Sequence, residues 1–260
     1  MAGKLRWDRL KKNQHTRRDR AVDDRNRTVW SGRTVRVHPW LWLTADELGS
    51  RYPSYLPTYD FGADFIDETH RWYSHCPLNG AILDIGIRGW LRKDDALKLY
   101  EMAFFSSGDT LEIGSYEGLS TSIMGKATAN TGLDSRIVSL ELDPGAVERA
   151  KENLRGTFPL HEFMVGDARE SCRTLKQAHR TFGFAFVDHS HTFELVRHAC
   201  EDLKSLVKLN GFALFHDFND PRNGRGPDYG VYQAVCDAFA DGSFEFCGVY
   251  GCTGLYRHIR

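Results

Sequence analysis

The stretch LEIGSYEGLST, Leu111 to Thr121, decides the fold. A short apolar run ends at Gly114, and Gly118 opens a helix, so the two glycines bracket a sharp turn. Without a β-carbon at either position, the backbone can pass close beneath a ligand at the start of that helix. The spacing is Gly-x-x-x-Gly and lacks the middle glycine of the dinucleotide fingerprint Gly-x-Gly-x-x-Gly. A pyrophosphate needs several converging amides there, whereas an adenosyl amino acid needs room and hydrogen bonds but has no phosphate to neutralise.

On either side of this turn the pattern repeats. The segment KDDALKLYEMAFFS has helical spacing, and the runs DTLEIGS, SRIVSLELD, HEFMVGD, FGFAFVDHS and GFALFHDF each end in polar residues. Between them lie amphipathic stretches. PGAVERAKENL carries Asp143 as its cap and Pro144 in its first turn. TFELVRHACEDLKSLVKL sets Phe193, Val196, Cys200, Leu203 and Val207 in one stripe, with Gly211 expected to stop the helix. Strand and helix alternate, which predicts parallel strands joined by right-handed crossovers in a doubly wound α/β sheet, with ligands at the carboxyl ends of the strands. FEFCGVYG and CTGLYRHI, joined near Gly251, are expected to form an antiparallel hairpin at one edge.

Composition narrows the class. At 260 residues with 41% hydrophobic residues the chain suits one large domain with an appendage. No apolar run reaches the length of a membrane span, and the charged start MAGKLRWDRLKKNQ is unlike a signal peptide, so a cytoplasmic protein is expected. The cysteines Cys76, Cys172, Cys200, Cys236, Cys247 and Cys252 contain no Cys-x-x-Cys pair, which argues against a zinc or disulfide framework. Residues 1–37 hold 12 Lys plus Arg against 4 Asp, so the formal net charge of −1 divides into +8 on this arm and −9 on residues 38–260. Such an arm either seeks phosphate or lies solvated on an acidic body or partner subunit. Residues 38–91 are rich in aromatics, among them Trp40, Trp42, Tyr52, Tyr55, Tyr59, Phe61, Phe65, Trp72 and Tyr73, while Pro39, Pro53 and Pro57 forbid one continuous helix. That segment is expected to bury itself as a cap, a sheet-edge cover or a subunit interface, which favours a homo-oligomer. The main domain is expected over residues 92–260.

Three strand tips supply one half of a site. After the Gly114 turn, Glu141 stands at the end of VSLELD, 27 residues on, where a carboxylate can accept both ribose hydroxyls. Asp167, in VGDA, can accept from the exocyclic amine of adenine.

In that order, LEIGSYEGLST, SLELDP, VGDA, FVDHSH and LFHDF resemble class I S-adenosylmethionine-dependent methyltransferases, most of all the metal-dependent O-methyltransferases of the catechol and macrocin type. The resemblance spans about residues 92–260, including DYGVYQAVCDAF. It implies a Rossmann-like, mostly parallel seven-stranded sheet and S-adenosylmethionine as cofactor. It also implies that Glu112, Gly114, Ser115, Gly118 and Ser120 in the first motif hold the methionine part, that Glu141 binds ribose, and that Asp167 with Ala168 meets adenine. Asp188 and His189 lie beside the same cofactor.

The remaining tips carry the reacting groups. Asp188 ends one strand and His216 with Asp217 ends its neighbour, so two carboxylates approach each other and would repel unless a cation sat between them. Magnesium or another divalent cation suits such an oxygen-rich site and could lower the pKa of a bound hydroxyl. His191, three residues beyond Asp188, is the expected base, imidazole being suited to proton transfer near neutrality. The resemblance places Asp188 and Asp217 as metal ligands with His216, a position where relatives carry a carboxylate. The expected reaction is methyl transfer to a sugar, phenol or catechol hydroxyl of a small molecule. The loop NDPRNGRGPDYG is a candidate lid, and its Arg222 and Arg225 could meet an acidic substrate. The alternatives are an RNA methyltransferase gripping nucleic acid with its basic arm, a non-catalytic cofactor-binding module, and a metal enzyme of different chemistry such as hydroxylation.

Overall fold

The computed structural model of the chain describes residues 27–30, 33–36, 82–156, 160–226 and 228–260. The roles expected of the basic arm and of the aromatic residues before Ile82 lie outside the described residues, apart from the backbone of a small antiparallel hairpin, β1 (Arg27–Trp30) with β2 (Arg33–Arg36).

The first helix, α1 (Lys93–Phe105), is followed by β3 (Thr110–Ile113), α2 (Leu119–Thr131), β4 (Ile137–Glu141), α3 (Pro144–Asn153), β5 (His161–Val165), α4 (Ala168–Gln177), β6 (Phe182–Val187), α5 (Phe193–Leu206), β7 (Val207–Phe215), α6 (Val231–Ala238), β8 (Phe244–Tyr250) and β9 (Thr253–His258). The seven strands from β3 onward form one sheet in the order β5-β4-β3-β6-β7-β9-β8. All pairings from β5 to β7 are parallel, and β9 pairs antiparallel with both β7 and β8. The expected doubly wound sheet with its terminal hairpin is therefore present. Strand order reverses between β3 and β6, and a crevice opens at that switch point.

The core explains why these runs are strands. β6, FGFAFV, is buried along its whole length because helices cover both faces of the sheet. Phe184 and Phe186 pack with Leu97, Tyr100, Ile123 and Met124 of α1 and α2. Ala185 and Val187 face the opposite way, toward Val196, Cys200 and Leu203 of α5 and Val235 of α6. The same alternation in β3 sends Leu111 and Ile113 to the α5 side, which leaves Glu112 on the α2 side. Leu83 and Leu91 belong to the first of these cores, and the Leu83 N–H donates to the Leu91 carbonyl at 2.8 Å. Residues 82–91, grouped above with the aromatic segment, thus fold onto the main domain.

The expectation for Gly211 requires correction. α5 ends at Leu206 and β7 begins at once with Val207, so Gly211 lies within a strand. A β-carbon on Gly211 would sit 2.8 Å from the Gly183 carbonyl oxygen, so its glycine permits close approach of β7 to β6, where their register shifts. Of the described cysteines, Cys172, Cys200, Cys236, Cys247 and Cys252 are all free thiols, and Cys172, Cys200 and Cys252 are buried. No helix among the described residues is long and apolar enough to cross a membrane.

Candidate active site

The backbone ladder continues past the strand ends and ties their tips into a row. The Gly166 N–H donates to the Glu141 carbonyl at 2.8 Å, Gly114 to Leu140 at 2.8 Å, Asp188 to Ile113 at 2.9 Å and His216 to Val187 at 3.0 Å. Residues far apart in sequence are thereby held side by side at the carboxyl edge of the sheet.

Two cavities share this edge. The smaller, about 350 Å³, is lined by Gly114, Glu141, Asp167, Ala168 and His189 among others. The larger, about 570 Å³, is lined by Gly114, Ser115, Ser120, Asp188, His189, His191, His216 and Asp217, with residues 88–92 along its far wall. Gly114, Tyr116, Asp188 and His189 border both, so the two are lobes of one cleft.

In the smaller lobe, the Glu141 carboxylate accepts the Tyr116 N–H at 2.8 Å and the Asp143 N–H at 3.0 Å, with lone pairs left on each oxygen. Asp167 caps α4, accepting from the Arg169 N–H at 2.8 Å, and this bond holds its carboxyl below the usual range. The Ser115 hydroxyl and His189 Nδ1 are buried without a hydrogen-bond partner, which leaves polar atoms at the junction of the lobes for a ligand to satisfy. Burial holds the His189 imidazole below its ordinary pKa, so it stands there neutral.

Two residues expected to hold a cofactor do not line the cleft. Glu112 is fully buried and accepts from the hydroxyls of Ser120 at 2.5 Å, Thr121 at 2.7 Å and Ser139 at 2.5 Å. Burial pushes its carboxyl up to about 7 despite those three bonds. It braces the turn from beneath. Gly118 (φ +91) faces Ala150 of α3, where a β-carbon would find that side chain at 3.2 Å. Gly114 (φ +95) does line the cleft, but its constraint comes from the protein: a β-carbon would lie 2.3 Å from the Asp188 carbonyl oxygen.

At the reacting end, two carboxylates and two imidazoles converge. His191 Nε2 lies 2.9 Å from Asp217 Oδ2 and 4.0 Å from Asp188 Oδ1. His216 Nδ1 lies 3.2 Å from Asp188 Oδ1 and 3.6 Å from Asp217 Oδ2, and its Nε2 is 3.7 Å from Asp95 Oδ2. Asp217 has a left-handed backbone (φ 52), and its carbonyl accepts from Asn223 Nδ2 at 2.8 Å, which holds the turn that aims its carboxylate. Burial alone would push the Asp217 carboxyl up, but hydrogen bonds from His191 and His216 hold it well below the usual carboxylate range. Burial would likewise discharge His216, yet the Asp188 carboxylate beside it raises its pKa well above the ordinary value. His216 is therefore an internal counter-ion for the carboxylates.

Metal fit is set by the donor atoms. Asp188, His191 and Asp217 each present one within 4.8 Å of the others, two hard oxygens and a nitrogen, a set that suits a divalent cation. His216, expected among the ligands, is not in this set; its Nδ1 faces Asp188 and Asp217 at 3.2 and 3.6 Å.

Several neighbours of this cluster were not foreseen from the sequence. Asp95, in the first turn of α1, accepts from the Arg92 and Cys252 N–H groups at 3.0 and 2.5 Å and faces His216. Tyr229 stacks on His191 with centroids 4.8 Å apart. Its hydroxyl accepts from Arg222 at 2.7 Å, and Arg222 also holds Asp220 through contacts of 2.9 and 3.0 Å. Cys252 Sγ lies 3.5 Å from Asp217 Oδ1. Arg222, expected from the sequence to meet an acidic substrate, does line the larger lobe but is held by Asp220 and Tyr229. Arg225 does not line either lobe.

Residues 111–218 match the family described as Methyltransferase domain. Among solved structures, the cofactor-bound Rv0187 from MTB superposes with a TM-score of 0.51 at 19% identity, over 68% of this chain and 83% of that one. The O-methyltransferase from Bacillus cereus in complex with SAH gives 0.50 at 16%, over 64% and 78%. The O-methyltransferase TomG from Streptomyces achromogenes, in complex with SAM, gives 0.49 at 22%, over 63% and 78%.

Proposed function

We propose, from the match of residues 111–218 to the Methyltransferase domain family, that the chain is an enzyme that transfers the methyl group of S-adenosylmethionine to a hydroxyl of a small molecule. The observation that carries this reading is the shared wall of the cleft. Gly114, Tyr116, Asp188 and His189 border both lobes, so a donor lying in the smaller one would present its sulfonium toward the carboxylate–imidazole cluster.

In this reading Glu141 accepts the ribose hydroxyls, Asp167 and Ala168 border the adenine, and Ser115 and Ser120 meet the amino-acid part. The unpartnered Ser115 hydroxyl and His189 Nδ1 fit a ligand rich in polar groups. Asp188 and Asp217, with His191 at their border, would hold a divalent cation, which when bound supplies Lewis-acid polarisation of the acceptor hydroxyl. His191 takes the hydroxyl proton at its imidazole, and the Asp217 carboxylate, 2.9 Å away, orients the ring and stabilises the imidazolium. Tyr229, stacked on the ring, keeps it from turning. The acceptor oxygen then attacks the methyl carbon in line: the C–O bond forms, the C–S bond breaks, and S-adenosylhomocysteine leaves neutral. Opposite charges on sulfur and oxygen disappear together, so a cleft that excludes water favours the step.

The test is transfer of labelled methyl from S-adenosylmethionine to a panel of catechols, phenols, sugars and RNA, with and without a chelator. Labelled O-methyl product that falls with chelation and returns with magnesium or manganese supports the reading. Label appearing only on RNA would transfer the assignment to the nucleic-acid alternative.

A further inference from the structure

We propose that Arg92 anchors a carboxylate on the methyl acceptor, and that residues 88–92 select a planar hydroxylated aromatic acid. This rests on the methyl-transfer reading above and specifies its substrate class.

Three arginines line the larger lobe, and they differ in what holds them. Arg222 is bound to Asp220 by two contacts of 2.9 and 3.0 Å and to the Tyr229 hydroxyl at 2.7 Å. Arg88, with its side chain 75% exposed, lies 3.6 Å from Glu117 and over the ring of Tyr116. Arg92 has neither kind of support. Its Nη1 is buried with no hydrogen-bond partner, and among the described residues no carboxylate pairs with its guanidinium. Its backbone is fixed all the same, since the Arg92 N–H donates to Asp95 Oδ2 at 3.0 Å. A guanidinium stays charged at any ordinary pH, and a buried donor without an acceptor is costly, so the missing partner is an anion that arrives with a ligand. Its planar fork matches a carboxylate in particular.

Asp220 is taken up by Arg222, and Asp188 and Asp217 face the histidines of the reacting cluster, so none of these carboxylates meets Arg92. Near it in sequence, Trp90 is 81% exposed and lines the same lobe with Ile82 and Tyr116, apolar side chains that an aromatic ring would cover. The loop packs closely on α2, since a β-carbon on Gly89 would meet Leu119 Cδ2 at 2.8 Å. An acceptor whose ring covers Trp90 and whose carboxylate meets Arg92 would leave its hydroxyl for the cluster at His191.

The donor's own amino-acid carboxylate is the other source of the same chemistry, and calorimetry separates the two. The full chain, first saturated with S-adenosylhomocysteine, is titrated with 3,4-dihydroxybenzoate and with its neutral counterpart 3,4-dihydroxybenzamide. The acid is expected to bind about tenfold or more tightly than the amide, a difference that one charged, bidentate contact readily supplies. In Arg92→Gln the two probes bind alike while S-adenosylhomocysteine keeps its affinity to within about twofold, and Trp90→Ala weakens both probes together. Arg92→Lys, which keeps the charge and loses the fork, gives an intermediate ratio and decides the matter if the glutamine variant does not fold. Equal binding of the probes by the parent protein, or a ratio unchanged in either Arg92 variant, overturns the inference and leaves methyl transfer standing. Loss of S-adenosylhomocysteine affinity in step with that of the acid assigns Arg92 to the donor and also overturns it. If S-adenosylhomocysteine does not bind the parent protein, the methyl-transfer reading fails and this inference fails with it.

Discussion

Replacing Gly114 by alanine tests the cleft at the point where its lobes meet. The new β-carbon would lie 2.3 Å from the Asp188 carbonyl oxygen, 2.7 Å from its carbon and 2.8 Å from His189 Cα, at a backbone φ of +95. Non-bonded carbon contacts are comfortable only near ~3.5–4.0 Å, so the β6 tip must retreat by about 1 Å. Left-handed backbone costs an alanine about 1–2 kcal/mol and overpacking a tight site about 1–3 kcal/mol, which together centre on about 3.5 kcal/mol. For a domain of this size that is a fall in Tm of about 7–14 °C. Gly132→Ala is the control, because Gly132 (φ +69) has nothing within 4 Å of its added β-carbon and isolates the backbone contribution. Thermal unfolding observed by circular dichroism, and calorimetric titration with S-adenosylhomocysteine, read both consequences. G114A is expected to melt well below G132A and to lose about tenfold or more in nucleoside affinity, since Asp188 and His189 move with the strand tip. If G114A melts with G132A and binds the nucleoside as the parent does, the close packing of β3 on β6 is not what shapes the cleft.

The same geometry sets other outcomes. Asp217→Asn keeps a residue that tolerates the left-handed turn and removes only the charge, so turnover should fall by about 10²-fold or more while S-adenosylhomocysteine affinity changes little, as steady-state kinetics and calorimetry would show. Glu112, raised to about 7 by burial, stabilises the fold fully below its unfolded value of about 4.5, and that contribution is lost as pH rises through about 7. Urea unfolding across that window should therefore show the parent losing roughly 3 kcal/mol relative to Glu112→Gln, and parallel pH profiles would contradict it. Tyr229→Phe preserves the stack on His191 but removes the hydroxyl that holds Arg222, and should lower kcat less than Tyr229→Ala, which frees the ring and should lower kcat by about tenfold with KM nearly constant.

The fold was legible because buried parallel strands read as unbroken apolar runs, and FGFAFV ending in Asp-His is one of them. Strand tips at one sheet edge also made Asp188, Asp217, Glu141 and Asp167 legible as neighbours. Side-chain direction was harder to read. Period-two alternation in β3, visible in Leu111 and Ile113, already turns Glu112 away from the cleft, yet its place inside the first motif suggested a ligand contact. Gly211 misled because a glycine after a helical stripe reads as a stop, whereas close approach between β6 and β7 is a tertiary demand with no local sign. His216 as counter-ion depends on burial beside three carboxylates from separate segments, and Arg92 depends on the absence of a partner. Neither property exists before the chain is folded.

Whether one cleft presents a nucleoside donor to the carboxylate–imidazole cluster, across the wall at Gly114 and Asp188, is measured most directly by a crystal structure of the complex with S-adenosylhomocysteine and manganese. It should show the sulfur atom against that wall, the adenine beside Asp167 and Ala168, and the ion on Asp188 and Asp217. A nucleoside bound elsewhere, or an ion away from both carboxylates, would contradict it.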